Sequence, residues 1–332
     1  MGNTAPSAET TLVGSRLTLR HGDSCSIDKE LAKGGFSVVC ACTRASDGKK
    51  LALKRIITQN HEAEQEALGE VRAHALLGND KPCSDYIVPL LETHIHKAGP
   101  SNREISLFFP LYRRGSLSDF LLGLNEKSMD EKLCLNLFLT CAKAVSAAHS
   151  KGIAHCDIKA MNFMMVEEGS ACVFIDFGSA RGPPLIKKID ARADAVKEQE
   201  RAERFCSAAY RAPELWEVPH KGHELDFAKS DVFALGCVLY SMTFPPYGYS
   251  PFESPSQGIL ALGARTATFS FPEQSSTMEI RGARKLVSQM LAFDPAKRPT
   301  AEEVVQRAET LLKEIAEEDF DVDFAAPSTN NE

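Results

Sequence analysis

An α+β fold in two lobes is predicted, strands first and helices after. Two observations carry this. Up to residue 111, short apolar runs are separated by Gly, Asp and Ser turn chemistry, the mark of strands and hairpins. Beyond that point the apolar residues recur at helical spacing. The 332 residues suffice for a real hydrophobic core. Ser26–Leu31, Phe36–Thr43 and Leu51–Ile57 read as three strands, broken by Gly34-Gly35 and by Ser46-Asp47-Gly48. His61–Leu77 reads as a helix ending near Gly78-Asn79, and Ile87–Leu91 and Ile105–Leu111 as two more strands. The prediction is therefore a small five-stranded lobe with one helix, followed by a larger helical lobe.

In the second part, Ser128-Met129-Asp130-Glu131 fits a capping box and opens a helix whose stripe runs Leu133, Leu137, Cys141, Val145, Ala148. Asp231–Met242 is apolar on nearly every side, as expected of a helix buried mid-lobe. Lys285–Leu291 and Ala301–Ile315 are amphipathic helices. Residues 1–25 are polar and patternless and are expected to be flexible; the acidic tail over 313–332, with Phe320 and Phe324, is expected to be loose.

Composition narrows the function classes. A net charge of -7 opposes nucleic-acid binding by phosphate neutralisation. No apolar run is long enough to span a bilayer, and the N-terminus lacks a secretory pattern. A cytoplasmic protein follows. None of the ten cysteines forms a CxxC pair, and Cys40 and Cys42 fit a strand better than a zinc site.

Four separated segments carry chemistry. Leu31-Ala32-Lys33-Gly34-Gly35-Phe36-Ser37-Val38-Val39 is a glycine-containing strand turn whose amides could approach a polyphosphate. Leu51-Ala52-Leu53-Lys54 brings a lysine to the end of an apolar strand, at the right distance to reach the same phosphates. His155-Cys156-Asp157-Ile158-Lys159-Ala160-Met161-Asn162 follows the long helix, and Asp176-Phe177-Gly178 follows the apolar run Cys172–Ile175. Phosphoryl transfer needs a divalent metal on hard oxygens and a carboxylate that accepts the proton of the attacking hydroxyl. Asp157, Asn162 and Asp176 offer such oxygens.

In this order the segments resemble the signature set of protein kinases: glycine loop, strand lysine, catalytic loop, DFG, and APE as Ala212-Pro213-Glu214. The resemblance covers roughly residues 26–312, with lobes at 26–111 and 116–312. It implies a serine/threonine kinase that uses ATP and Mg2+ on a protein substrate. Lys54 would pair with the α- and β-phosphates and with Glu70, Glu66 being the alternative one turn earlier. Asp157 would be the base, and Lys159 would steady the transferring phosphate. Asn162 and Asp176 would hold magnesium. Nucleotide contacts would come from Ala32, Lys33, Gly34, Gly35, Phe36, Ser37, Val39, Ala52, Phe109, Pro110 and Tyr112. Phe109 would guard the back pocket. Phe177 and His155 would pack behind the site, and Glu214 would pair with Arg298. Lys159, and Ser207 three before Tyr210, resemble serine/threonine rather than tyrosine enzymes.

Finer resemblance is to the Numb-associated kinase family, and within it to the small N-terminally lipidated serine/threonine member. It rests on Gly34-Gly35-Phe36-Ser37, on Ala209-Tyr210-Arg211-Ala212-Pro213-Glu214-Leu215, on Gly236-Cys237-Val238-Leu239-Tyr240 and on Phe269-Ser270-Phe271-Pro272. That family has an extra helix after APE; Leu215–Lys229 is long enough for one, with a poor helical pattern.

The chain departs from the pattern in places. Ala32 and Ser37 replace loop glycines, and Cys156 replaces the arginine that usually binds a phosphorylated activation loop. Residues 179–210 contain no threonine, and serine only at 179 and 207, so activity without loop phosphorylation is expected. Asp190–Phe205 reads equally as a substrate-docking helix or a solvated charged loop. Gly2 fits a myristoylation signal but Pro6 does not, so any membrane association would be weak and peripheral on endomembranes. The tail could dock an adaptor. Two rival readings stand beside the kinase: a pseudokinase scaffold that binds nucleotide without transfer, and a small-molecule kinase of related fold. Retention of Lys54, Asp157, Asn162 and Asp176 opposes the first; the APE segment and full helical lobe oppose the second.

Overall fold

The computed structural model describes residues 13–19, 22–34, 37–78, 81–97, 102–124, 127, 129–272, 280 and 282–325. Gly35, Phe36, Ser128, Gly2 and the end of the tail lie outside them. The chain forms two compact units.

The first unit takes residues up to Val71 together with Val88–Leu111. Its sheet has six strands, not the five expected: β1 (Arg16–Thr18), β2 (Ser24–Lys33), β3 (Ser37–Arg44), β4 (Lys50–Thr58), β5 (Glu92–Lys97) and β6 (Arg103–Pro110). Their order is β1-β2-β3-β4-β6-β5, all antiparallel. The extra strand, β1, lies in the segment read as patternless. It is three residues long with one half-buried position, too short for alternation to register, and pairing with Ser24–Ser26 creates it. The predicted strand Ile87–Leu91 is likewise corrected. Only Ile87 makes a bridge, to Phe174, and the strand lies further on at Glu92–Lys97. Glu-Thr-His-Ile-His-Lys carries almost no apolar signal; its pairing with β6 decides it. Leu19, Cys25, Ile27, Cys40, Cys42, Leu51, Leu53 and Phe108 form this unit's buried cluster. The helix α1 (His61–Leu77) has its predicted bounds.

The second unit takes Arg72–Ile87 and everything from Tyr112, so the small lobe is not the continuous 26–111 segment expected. Burial explains this: Ala73, Leu77, Cys83 and Ile87 belong to the large helical core. A short α2 (Cys83–Tyr86) is followed by α3 (Leu117–Leu122), capped by a Ser116–Asp119 box, and by α4 (Glu131–Ser150). The N-cap of α4 is Asp130, whose carboxylate accepts from the Leu133 amide at 2.8 Å, rather than Ser128. Aspartate and serine cap equally well, and the sequence offers both within three positions. The hairpin β7 (Phe163–Met165) and β8 (Cys172–Phe174) follows.

Next, β9 (Ile186–Ile189) leads to α5 (Arg192–Phe205), and β10 (His223–Asp226) pairs back onto β9. The charged 190–205 stretch is thus helical, and no helix occupies residues 216–222. The central α6 (Phe227–Thr243) is buried on nearly all sides. A Cβ on Gly236 would stand 2.8 Å from Cβ of Met290, so glycine there lets α6 approach the helix that carries Met290. A two-residue hairpin, β11 (Glu253–Ser254) and β12 (Gly258–Ile259), precedes α7 (Ala261–Thr266), α8 (Ala283–Met290) and α9 (Ala301–Ala325). The expected loose tail is corrected in part: helical backbone runs to Ala325, consistent with the helix-favouring Glu and Ala of its first residues. Among the described residues no helix is long and apolar enough to cross a membrane.

Candidate active site

In the first unit, the glycine turn closes between β2 and β3. Gly34 donates its amide to the Ser37 carbonyl at 2.7 Å, and Ala32 and Lys33 stand opposite Val39 and Val38. Ala52 on β4 lies opposite Ala41 on one side and Phe109 on the other. Phe109 is buried in β6, which Pro110 ends. Lys54, opposite Val39, donates its ammonium to both oxygens of Glu70 at 2.7 and 3.0 Å. The Glu70 carboxylate is almost wholly buried, so the ion pair offsets a large desolvation cost and fixes where Nζ sits. Glu70 is thus the α1 carboxylate that receives this ammonium.

In the second unit, the functional loops hang on the β7–β8 hairpin. Phe163 stands opposite Phe174, so the residues just outside the pair are neighbours: Ile175 donates its amide to the Asn162 carbonyl at 2.9 Å. Asp176 is thus the residue next to the backbone partner of Asn162. Asn162 is buried and donates its side-chain amide to the Asp157 carbonyl at 2.8 Å. Its remaining side-chain oxygen is a hard donor of the kind magnesium selects. Asp176 holds a left-handed backbone with φ 64°, uncommon for a residue with a Cβ.

Asp157 is fixed from two sides. Lys159 Nζ reaches Oδ2 at 2.8 Å, and the Ser207 amide reaches Oδ1 at 2.9 Å. The same ammonium donates to Ser207 Oγ at 2.9 Å, tying Asp157 to the loop before Ala212-Pro213-Glu214. Behind it, His155 stacks on Phe174 at 4.2 Å and meets Phe177 edge-on at 4.9 Å; both rings are fully buried. His74 of α1 meets Phe177 from another side at 5.3 Å. Tyr112 also belongs to this unit, and burial raises its phenol pKa.

Sequence reading missed the residue that organises the loop. Asp231 of α6, buried, accepts the backbone amides of His155 at 2.7 Å and Cys156 at 2.8 Å, and the His149 ring at 3.0 Å. One carboxylate inside an otherwise apolar helix was the available signal. Cys156, beside it, has φ 63° and borders a narrow cleft with Arg201, Phe205, Cys206 and Arg211. Burial pushes its thiol well above the ordinary range. Glu214 accepts Arg298 at 2.7 and 2.8 Å, far from the loops in sequence and wholly architectural.

Among the described residues no group of three His, Cys, Asp or Glu side chains could hold a metal by itself. The donor set nonetheless suits magnesium, which takes one or two protein oxygens and completes its shell with phosphate and water.

Fold and site together define a protein kinase domain, and the chain belongs to that family, which matches residues 25–308. Among its relatives, serine/threonine-protein kinase 16 of Mus musculus and that of Homo sapiens are each 30% identical over 286 residues, covering 85% of this chain and 88% of theirs. A probable serine/threonine-protein kinase of Dictyostelium discoideum is 26% identical over 363 residues, covering 88% of this chain and 95% of its own.

Proposed function

We propose that the protein transfers the γ-phosphoryl group of ATP to serine or threonine hydroxyls of protein substrates, without needing activation-loop phosphorylation. The observation that carries this is the anchoring of Asp157 between Lys159 and Ser207, with the Asn162 amide tied to the Asp157 backbone. A carboxylate so held can orient an acceptor hydroxyl and take its proton as the bond to phosphorus forms. Lys159, in contact with it, can neutralise charge on the transferring group. Asn162 and Asp176 would hold Mg2+, which when bound shields the polyphosphate and polarises the phosphoryl oxygens. On the first unit, Lys54, oriented by Glu70, would bind phosphate oxygens, and the amides from Ala32 to Ser37 would line the polyphosphate. Val39, Ala52, Phe109 and Pro110 would bound the adenine there.

The protein-substrate class is supported by the names of the relatives. Membership of the Numb-associated kinase family remains our reading on the motif strings, and the absence of a helix over 216–222 is a departure from it. A cytoplasmic location, with weak membrane attachment through Gly2 and an adaptor-docking tail, completes the proposal.

Incubation with γ-labelled Mg-ATP and a basic protein acceptor, beside Asp157→Asn and Lys54→Met, tests it. Label on serine or threonine that vanishes in both variants is the expected result. No label from the wild type, with a retained thermal shift on Mg-ATP, would instead assign a nucleotide-binding scaffold.

A further inference from the structure

The helix α5 carries a buried carboxylate that the proposed chemistry does not use. Glu198 is only 6% exposed, in a helix whose other acidic side chains are solvated or half-buried. A buried carboxylate is costly unless cations and hydrogen bonds compensate it. Two cations do. The Arg181 guanidinium grips it with both terminal nitrogens, and Lys187 of β9 reaches Oε1 at 2.8 Å. Arg181 is further fixed over the Phe227 ring, at 4.2 Å.

The backbone of Arg181 is the important part. Its amide donates to the Ala154 carbonyl at 2.8 Å, and the Ala154 amide returns the bond at 3.0 Å. Ala154 directly precedes His155-Cys156-Asp157, and Arg181 lies three residues beyond Gly178. This one bridge therefore joins the loop of the base to the segment of the metal-binding aspartate. On the same face of α5, one turn further, Arg201 donates to the Ser179 carbonyl at 3.2 Å, and Ser179 Oγ donates to the Phe205 carbonyl at 3.2 Å. Positions 198, 201 and 205 share a helix face by their spacing.

We propose that Glu198, seconded by Arg201, is a positioning residue: α5 is an intrachain clasp that holds residues 179–181, and through Ala154 the Asp157 loop, in their working arrangement. The clasp is made by a genetically encoded carboxylate, so it needs no phosphate. This deepens the phosphotransfer reading and rests on it.

The test uses the full chain, with Glu198→Gln, Glu198→Asp and Arg201→Gln, and with Glu200→Gln on the exposed side of α5 as control. Hydrogen exchange, measured without nucleotide, should speed up at least about tenfold at Ala154 and Arg181 in Glu198→Gln, with a smaller change in Glu198→Asp and none in Glu200→Gln. In phosphotransfer, kcat should fall about tenfold or more while the KM for ATP stays within about twofold, since Lys54 and Glu70 are untouched. Arg201→Gln should move both readouts the same way, and decides the matter should Glu198→Gln not fold. Wild-type exchange rates at Ala154 and Arg181 in these variants would overturn the proposal. A wild type without phosphotransfer would sink the enzymatic reading alone, and exchange would still judge the clasp.

Discussion

The carboxylate of Asp231 accepts the backbone amide of Cys156 at 2.8 Å, and so holds a non-glycine residue at φ 63° directly before Asp157. A left-handed conformation at a residue with a Cβ costs about 1–3 kcal/mol and persists only where surroundings enforce it. Here the enforcement comes from a buried anion that also takes the His155 amide and the His149 ring. Asp231→Asn offers those three donors one neutral acceptor and an unwanted donor. Denaturant unfolding is expected to show a loss of about 3 kcal/mol, and phosphotransfer a fall in kcat larger than any change in ATP KM.

Restoring an arginine at position 156 should not restore anything. The cleft beside Cys156 already receives the guanidinium groups of Arg181, Arg201 and Arg211, and its carboxylates are engaged. A fourth cation brings overpacking and repulsion with no new anion. Cys156→Arg is expected to destabilise by about 1–3 kcal/mol in a thermal melt, with no gain in activity.

Arg298 uses all five of its N–H donors. Two go to Glu214, and the others go to the carbonyls of Ala292, Lys229 and Phe293, with the guanidinium over the Phe233 ring at 4.9 Å. Lysine can reproduce neither the fork nor the stacking. Arg298→Lys should cost about 3–5 kcal/mol of stability by urea unfolding, because it leaves Glu214 with a poorly matched partner in the interior.

Burial sets the behaviour of the thiols. Cys206 is pushed up to about 12 from an ordinary 9.0, burial being the main cause and Asp157 the next. The fold therefore favours the protonated thiol. Its contribution to stability is complete below pH 9.0 and is lost as pH rises toward about 12, because the unfolded chain releases the proton first. At pH 8 the folded chain holds roughly a thousandfold less Cys206 thiolate than an exposed cysteine would. Iodoacetamide labelling followed by mass spectrometry should find Cys206 unmodified in the native protein and modified after denaturation. Rapid native labelling would contradict the raised thiol pKa.

Lys54 and Glu70 illustrate how much of the site was legible. A lysine ending an apolar strand after a glycine turn was visible, as were the Asp157, Asn162 and Asp176 segments, because each is a run of adjacent residues with a recognisable chemical content. The choice between Glu66 and Glu70 was not, since both share a face of α1; burial and the 2.7 Å contact identify Glu70 as the Lys54 partner. β5 was misplaced because its residues are polar and only the edge of β6 makes them a strand.

By itself, then, the sequence determined that a strand-rich part comes first and a mainly helical part after, the bounds of α1 and the residue types whose chemistry suits metal, proton and phosphate. These are properties of local propensity and of side-chain chemistry. Tertiary structure alone decided that Asn162 meets Ile175, the neighbour of Asp176, at the end of the β7–β8 hairpin, that Asp231 reaches back more than seventy residues to hold the Asp157 loop, and that Glu198 lies buried between Arg181 and Lys187. A carboxylate written in a helix looks the same whether water or a buried guanidinium will surround it. Only packing removes the water, and so only packing turns that charge into a constraint.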